Sequence, residues 1–199
     1  YIQVITQARR QQIIKTFEAI EDMPRVIFNV YNPISRLQRD VVYHKDAGEV
    51  KYIATSAAKL VKELRWEREF EGEFIFEYTA ESFSGADMKF ALDVCQAVKD
   101  IWEPSPYNPM IINLPATVED HMPHVYADMV EWMGANLTDR DSFSLSIHPH
   151  NDRGTGTAAA ELGLLAGADR VEGTLFGNGE RCGNLDILTL AYNMFSQGI

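Results

Sequence analysis

The chain has 199 residues, a formal net charge of −11 and 46% hydrophobic residues, enough apolar material for one domain with a real core. The acidic balance argues against nucleic acid and anionic membrane surfaces as partners, and no uninterrupted apolar run is long enough to span a bilayer. Two cysteines, Cys95 and Cys182, make no disulfide framework, so a reducing compartment is expected. No signal peptide or targeting segment is visible. The opening Tyr1-Ile2-Gln3-Val4-Ile5 already reads as a strand and carries no initiator Met, so the expectation is a piece of a longer polypeptide.

Ile2 to Thr6 reads as a short strand. Ile13, Ile14, Phe17 and Ile20 recur at helical spacing between Arg9 and Glu21, and Pro24 ends the helix. In the next strand, Val26 to Tyr31, Val26, Phe28 and Val30 share one face and Ile27, Asn29 and Tyr31 the other. A polar connection leads to a helix from about Glu49 to Leu64. Phe74 to Tyr78 is a strand with Phe74, Phe76 and Tyr78 on one side; Glu73, Ile75, Glu77, Thr79 and Glu81 take the other. A helix from Asp87 to Ile101 is closed by Pro104, Pro106 and Pro109. Met110 to Leu114 is a strand with Asn113, Pro115 and Thr117 on one parity, and Val125 to Leu137 is a helix.

The most informative stretch is Ser146-Ile147-His148-Pro149-His150-Asn151-Asp152-Arg153-Gly154. It reads as a strand running into a loop. Alternate strand residues share a face, so His148 and His150 project side by side, on the face of Ser142, Ser144 and Ser146 and opposite Phe143, Leu145 and Ile147. Two adjacent neutral imidazoles are half of a metal site. The alternative is a pair that only satisfies hydrogen bonds. A helix from Thr157 to Leu165, a strand from Arg170 to Phe176, the loop Gly177-Asn178-Gly179-Glu180-Arg181-Cys182-Gly183-Asn184 and a helix from Leu185 to Phe195 complete the chain.

Strand and helix alternate six times, the pattern of parallel β/α units. Doubly wound strands tend to be apolar on both faces. Here one parity is polar on most strands: Asn29, Glu77 with Glu81, Asn113 with Thr117, the serines with the histidines, and Glu172 with Thr174. An α/β barrel of the TIM type, (β/α)8, with a polar upper interior suits this better. Six units leave it two short, with exposed sheet edges.

Other candidates follow from position. Glu81 ends a strand on the interior parity, the place of an acid/base or a solvated carboxylate. Thr117 stands likewise, able to donate to a substrate carboxylate or to cap a helix. The three glycines of the loop after the last strand permit close approach of a ligand, or simply a tight turn. Asn184 is either the N-cap of the final helix or an amide oxygen for a metal. A catalytic metal commonly has three protein ligands. Asp152 has the parity for the third but already lies in the loop. His44, His121 and His124 read as surface residues, Cys95 as helix packing, and Cys182 as a loop thiol with no base to pair with.

Leu145-x-x-His148-x-His150-Asn151-Asp152-x-Gly154 resembles the second signature of the isopropylmalate and homocitrate synthase family, within the DRE-TIM metallolyases, and the loop from Phe176 to Asn184 is similar to that family too. Asn113-Leu114-Pro115-Ala116-Thr117-Val118-Glu119, Gln3-Val4-Ile5-Thr6-Gln7, Tyr31-Asn32 and Leu37-Gln38-Arg39 resemble its long-form isopropylmalate branch more narrowly. The resemblance covers the whole chain. It implies strands three to eight of the barrel, with the first two strands and a C-terminal regulatory domain lying outside residues 1–199. It also implies a Claisen condensation. A divalent metal (Zn, Mn or Mg) polarises 2-oxoisovalerate, a base deprotonates acetyl-CoA, and hydrolysis releases CoA at the first step of leucine synthesis. His148 and His150 match metal ligands and Asn184 a residue close to the metal. Glu81 matches a Glu at the reacting centre, Thr117 the holder of the substrate carboxylate, and Ile5, Thr79, Asn113 and Pro115 the keto-acid pocket. A homodimer in the cytoplasm, or in the mitochondrial matrix of a eukaryote, goes with that resemblance.

There are departures. The family's Arg-Asp motif, source of a carboxylate ligand, is absent, since Arg39-Asp40 and Arg140-Asp141 end no interior strand. Asn29 stands where the family pocket has a His. The isolated chain is therefore expected to be inactive. Homocitrate, citramalate and methylthioalkylmalate synthases are the alternatives with the same chemistry. An amidohydrolase, with its His-x-His on the first strand, and a degenerate non-catalytic barrel are alternatives of other kinds.

Overall fold

The computed structural model describes residues 1–68, 70 and 72–199. Twelve principal elements alternate: β1 (Ile2–Gln7), α1 (Arg10–Ala19), β2 (Arg25–Pro33), α2 (Ala47–Glu67), β3 (Glu73–Glu81), α3 (Met88–Trp102), β4 (Met110–Ala116), α4 (Pro123–Asn136), β5 (Ser144–Pro149), α5 (Gly156–Leu165), β6 (Arg170–Val171) and α6 (Ile187–Ser196). The strands form one parallel sheet in sequence order, β1-β2-β3-β4-β5-β6. A doubly wound sheet reverses its order at a switch point. This one does not, so each right-handed crossover places its helix on the same face, and successive helices pack side by side. The sheet curls: Gln3 on β1 reaches Glu172 beyond β6, its Nε2 donating to Oε1 at 2.6 Å. The architecture is an incomplete (β/α)8 barrel.

Local sequence starts each helix. Asp46 and Glu49 form a capping box at α2, Asp87 accepts from Phe90 N at α3, and Pro123 occupies the first turn of α4. The outward strand parity is the core. Val26, Phe28, Val30, Phe76, Tyr78, Ile112, Leu114, Leu145 and Ile147 are completely buried beneath the helices. An aromatic stack closes one end, with Phe17 on Phe28 at 4.6 Å and Phe76 on Trp102 at 4.4 Å between ring centres. Where α5 crosses β5, a Cβ on Gly163 would stand 2.6 Å from Ile147 Cδ1, so the small residue there sets how closely helix and sheet approach.

Two expectations are corrected. The last strand stops at Val171 rather than Phe176. Thr174 N donates to Leu185 O at 3.0 Å, and Phe176 takes a left-handed backbone (φ 60°), which turns the chain away from the sheet. The connection after β2 is not wholly irregular: Gln38–Tyr43 winds as one π-helical segment.

The inward parity is polar and pairs in large part with itself, though Glu77 Oε2 and Asn113 Oδ1 find no partner. Asn29 Nδ2 donates to Glu77 Oε1 at 2.9 Å, and Thr79 Oγ1 donates to Asn29 Oδ1 at 2.8 Å. Glu77 is fully buried. Its Oε2 meets no donor and faces Glu172 closely enough to share a proton with it. Burial, then repulsion from Glu172, holds Glu77 well above the usual carboxylate range. That shift favours the neutral acid, against the opposing pull of Arg170, whose Nη1 lies 3.6 Å from Oε2.

Two predictions follow from this packing. Phe76→Ala empties a site with no room to collapse and costs about 3–5 kcal/mol of unfolding free energy, measured by urea titration; a loss under about 1 kcal/mol would contradict the packing described. For Glu77 the sign is set by its raised value. Above the ordinary carboxylate range the unfolded chain has released a proton that the folded chain retains, so stability falls as pH rises through that window. Glu77→Gln keeps a neutral amide there and removes the dependence. Its thermal midpoint relative to wild type should rise between about pH 5 and pH 8, and a difference that is flat or of opposite slope would rule out a neutral Glu77.

Candidate active site

The C-terminal strand ends open onto a cleft of about 1100 Å³. Ile5, Asn29, Thr79, Glu81, Asn113, Pro115, Thr117, His148 and His150 all line it. Active sites of β/α barrels occupy this end. Asn184 lies beside it, behind His148, in the Gly-rich loop.

His148 and His150 project from the end of β5 with ring centres 5.2 Å apart, a separation that one ion about 2 Å from a nitrogen of each ring can span. His148 is tied at both nitrogens. Nδ1 lies 2.9 Å from Glu172 Oε2, and Nε2 lies 2.8 Å from Asn184 Oδ1. Burial pushes its basicity down, but the bond and charge of Glu172 outweigh that and the net shift is upward. With Nδ1 protonated toward Glu172, Nε2 and Asn184 Oδ1 turn two lone pairs toward one another. A proton on Nε2 bonds the two at this distance; an ion about 2 Å from each would lie to one side of their line.

His150 is held differently. Arg181 donates to its Nδ1 at 2.8 Å. Burial, then the charges of His148 and Arg181, keeps this ring below the ordinary histidine value and hence neutral. A ring that accepts at Nδ1 carries its proton on Nε2. To ligate a metal through Nε2, His150 needs Arg181 to withdraw.

Arg181 also answers for Asp152. Its Nε donates to Asp152 Oδ1 at 2.7 Å and its terminal nitrogen to Thr117 O at 2.6 Å, while Asp152 Oδ2 accepts from Glu119 N at 3.1 Å. Asp152 is an ion-pair partner, consumed by the loop. Among the described residues no group of three His, Cys, Asp or Glu side chains converges as a metal cluster. The groups on this chain that could hold a cation are thus two imidazoles and the Asn184 amide oxygen, without a carboxylate.

The proposed N-cap role of Asn184 is overturned. Asp186 caps α6, accepting from Leu188 N at 3.0 Å, which leaves the Asn184 side chain free to face His148. Asn184 Nδ2 packs so closely on Gly179 that a Cβ there would collide with it. At least one glycine of the loop is therefore required to seat a cleft residue. Thr117 caps no helix of regular length. Its Oγ1 accepts from Ser82 N at 2.9 Å, which directs its own proton elsewhere. Glu81 is half-buried with one unpartnered oxygen, Oε2, and burial, then the nearby Glu180, raises its pKa. It is not the solvated carboxylate that its strand-end position also allowed. Cys182 is exposed in the loop and Cys95 is buried, while His44, His121 and His124 are exposed.

Sequence reasoning passed over Glu172, Arg170, Gln3 and Arg181. Glu172 carried one signal, its place on the polar parity of the last strand. The others sit at the barrel's interior or in the loop with nothing local to distinguish them from surface residues.

The HMGL-like family model matches residues 1–199. A 2-isopropylmalate synthase of Clostridium acetobutylicum is 55% identical over 199 residues, all of this chain and 36% of the relative. One from Brucella suis biovar 1 is 54% identical over 198 residues, with 100% of this chain and 35% of the relative covered. The chain thus spans about a third of the length of these curated relatives. The HMG-CoA lyase from Brucella melitensis has the same fold, at a TM-score of 0.67, 11% identity, and 98% of this chain and 66% of that chain covered. With a barrel of this topology, polar residues gathered at its C-terminal end and a match along its whole length, this chain belongs to the HMGL-like family.

Proposed function

We propose that this chain is the barrel portion of a 2-isopropylmalate synthase, which condenses acetyl-CoA with 2-oxoisovalerate and releases CoA. The observation that carries the reading is the convergence of His148, His150, Asn184, Glu81 and Thr117 at one strand-end cleft, in a chain more than half identical to synthases of that name. A cytoplasmic or matrix homodimer goes with it.

His148 and Asn184 would hold a divalent cation set beside their 2.8 Å contact, and His150 would join them once Arg181 lets go. Two imidazole nitrogens favour zinc over magnesium or manganese. Bound there, such an ion supplies Lewis acidity toward the keto and carboxylate oxygens of the substrate. The remaining work belongs to side chains. Thr117, its oxygen engaged by Ser82 N, offers its hydroxyl proton to a carboxylate. Glu81, raised by burial and with a free oxygen, holds or moves a proton at the reacting centre. Asn29, Thr79 and Asn113 turn their polar atoms on one another and on Glu77 and Glu172. That leaves Pro115 and Ile5 to offer apolar surface to a branched side chain.

The candidate cation set on this chain has two imidazoles and an amide but no carboxylate, so the isolated chain is expected to release no CoA. The complete polypeptide carrying it is expected to release CoA thiol from acetyl-CoA with 2-oxoisovalerate, and not with 2-oxoglutarate or pyruvate; His148→Ala and a chelator should each abolish the signal. Preference for another keto acid would move the substrate while leaving the chemistry. Absence of release with all three, despite bound metal, would replace this reading by a non-catalytic barrel.

A further inference from the structure

Glu172 sits just past β6, where its backbone N donates to Ile147 O at 2.8 Å. That bond lays it against the strand bearing His148. Its side chain is 11% exposed, and besides the Glu77 carboxyl that faces it four donors reach the carboxylate. Oε2 takes His148 Nδ1 at 2.9 Å and Asn113 Nδ2 at 2.9 Å; Oε1 takes Gln3 Nε2 at 2.6 Å and Arg170 at 2.7 Å. A carboxylate has about four lone-pair sites, and here all are engaged. The clamps come from β1, β4 and β6, three separate strands, so the group cannot turn without breaking bonds to the barrel wall.

We propose that Glu172 is the positioning residue of this site: it fixes the His148 ring with Nδ1–H inward and the Nε2 lone pair toward Asn184 Oδ1. The carboxylate, though it lines the cleft, is committed to these donors and acts through the imidazole. A ligating histidine normally gives its second nitrogen to an acceptor, which selects the tautomer and the ring plane. Gln3, Arg170 and Asn113 in turn hold the carboxylate. Arg170 Nη1 also donates to Ser146 Oγ at 3.0 Å, and Arg170 Nη2 to Gln3 Oε1 at 2.7 Å. The positioning device therefore includes both edges of the open sheet. The inference about orientation stands on this geometry; its consequence for metal rests on the reading proposed above.

The test uses the complete polypeptide carrying this chain, as wild type, Glu172→Ala, Glu172→Gln and Gln3→Ala. Two quantities are read: the Zn²⁺ dissociation constant by competition with a chromophoric chelator, and the ¹⁵N signature of the neutral His148 ring without metal. Glu172→Ala should weaken Zn²⁺ roughly 10- to 100-fold and lose the fixed Nδ1–H signature. Glu172→Gln, whose amide oxygen still accepts from Nδ1, should recover much of both, and Gln3→Ala should shift both mildly in the same direction. A Glu172→Ala protein with an unchanged ring signature overturns the proposal. So does one that merely melts earlier while its folded fraction binds Zn²⁺ as wild type does. If the wild type binds no Zn²⁺ at all, the metal reading fails, and the ring signature alone decides the role of Glu172.

Discussion

Every strand of this sheet has a dry side and a side that must satisfy its own polar groups, and the rest of the architecture follows from that. Strand geometry imposes the alternation. The outward residues disappear under helices laid on a single face, so the core is a sleeve of aliphatic and aromatic side chains around the sheet. The inward residues have no helix to meet. They find partners on the neighbouring strand, as Asn29 does with Glu77, or across the curl, as Gln3 does with Glu172, which joins two strands that the backbone ladder does not pair.

That division explains what could be read in advance. The apolar parity is a local signal, and it placed the strands and helices to within a few residues. The histidine pair was legible for the same reason, since two residues of one parity at a strand end need no knowledge of the fold to be put side by side. Glu81, Thr117 and Asn113 were legible by parity too. The partners were not. Glu172 approaches His148 only because β6 lies against β5, and Arg181 approaches His150 only because the loop folds back over the strand end. Asn184 looked like a helix cap because Asp186, two residues on, offers the same chemistry, and choosing between them requires the backbone. The last strand looked longer than it is because its polar alternation continues after the chain has been pinned to Leu185.

The loop after β6 has two jobs that its glycines make compatible. It must turn sharply and carry Arg181 in a left-handed backbone conformation (φ 54°), and it must leave room for the Asn184 amide against Gly179. A bulkier loop could do the first and not the second. Arg181 then binds three elements at once, through Asp152, the end of β4 and His150. The ring it holds is the one that must change partners for a cation to be bound by both histidines, so the loop and the histidine strand are mechanically one unit.

The interior also keeps an electrical balance. Glu77 is held toward its neutral form, the Glu172 carboxylate is matched by Arg170, and Asp152 is matched by Arg181. A divalent ion set among His148, His150 and Asn184 would add two positive charges to a region whose anions are already committed, leaving Glu81 and Glu180 as the nearby acids. Low-dielectric surroundings do not tolerate such an excess cheaply. Electroneutrality therefore selects what may enter: a cation is held well here only together with an anion, whether a carboxylate from another segment or a negatively charged substrate. The cleft would then load ion and acid as a pair, and a neutral analogue of the same shape would find the site weaker for want of charge rather than for want of room.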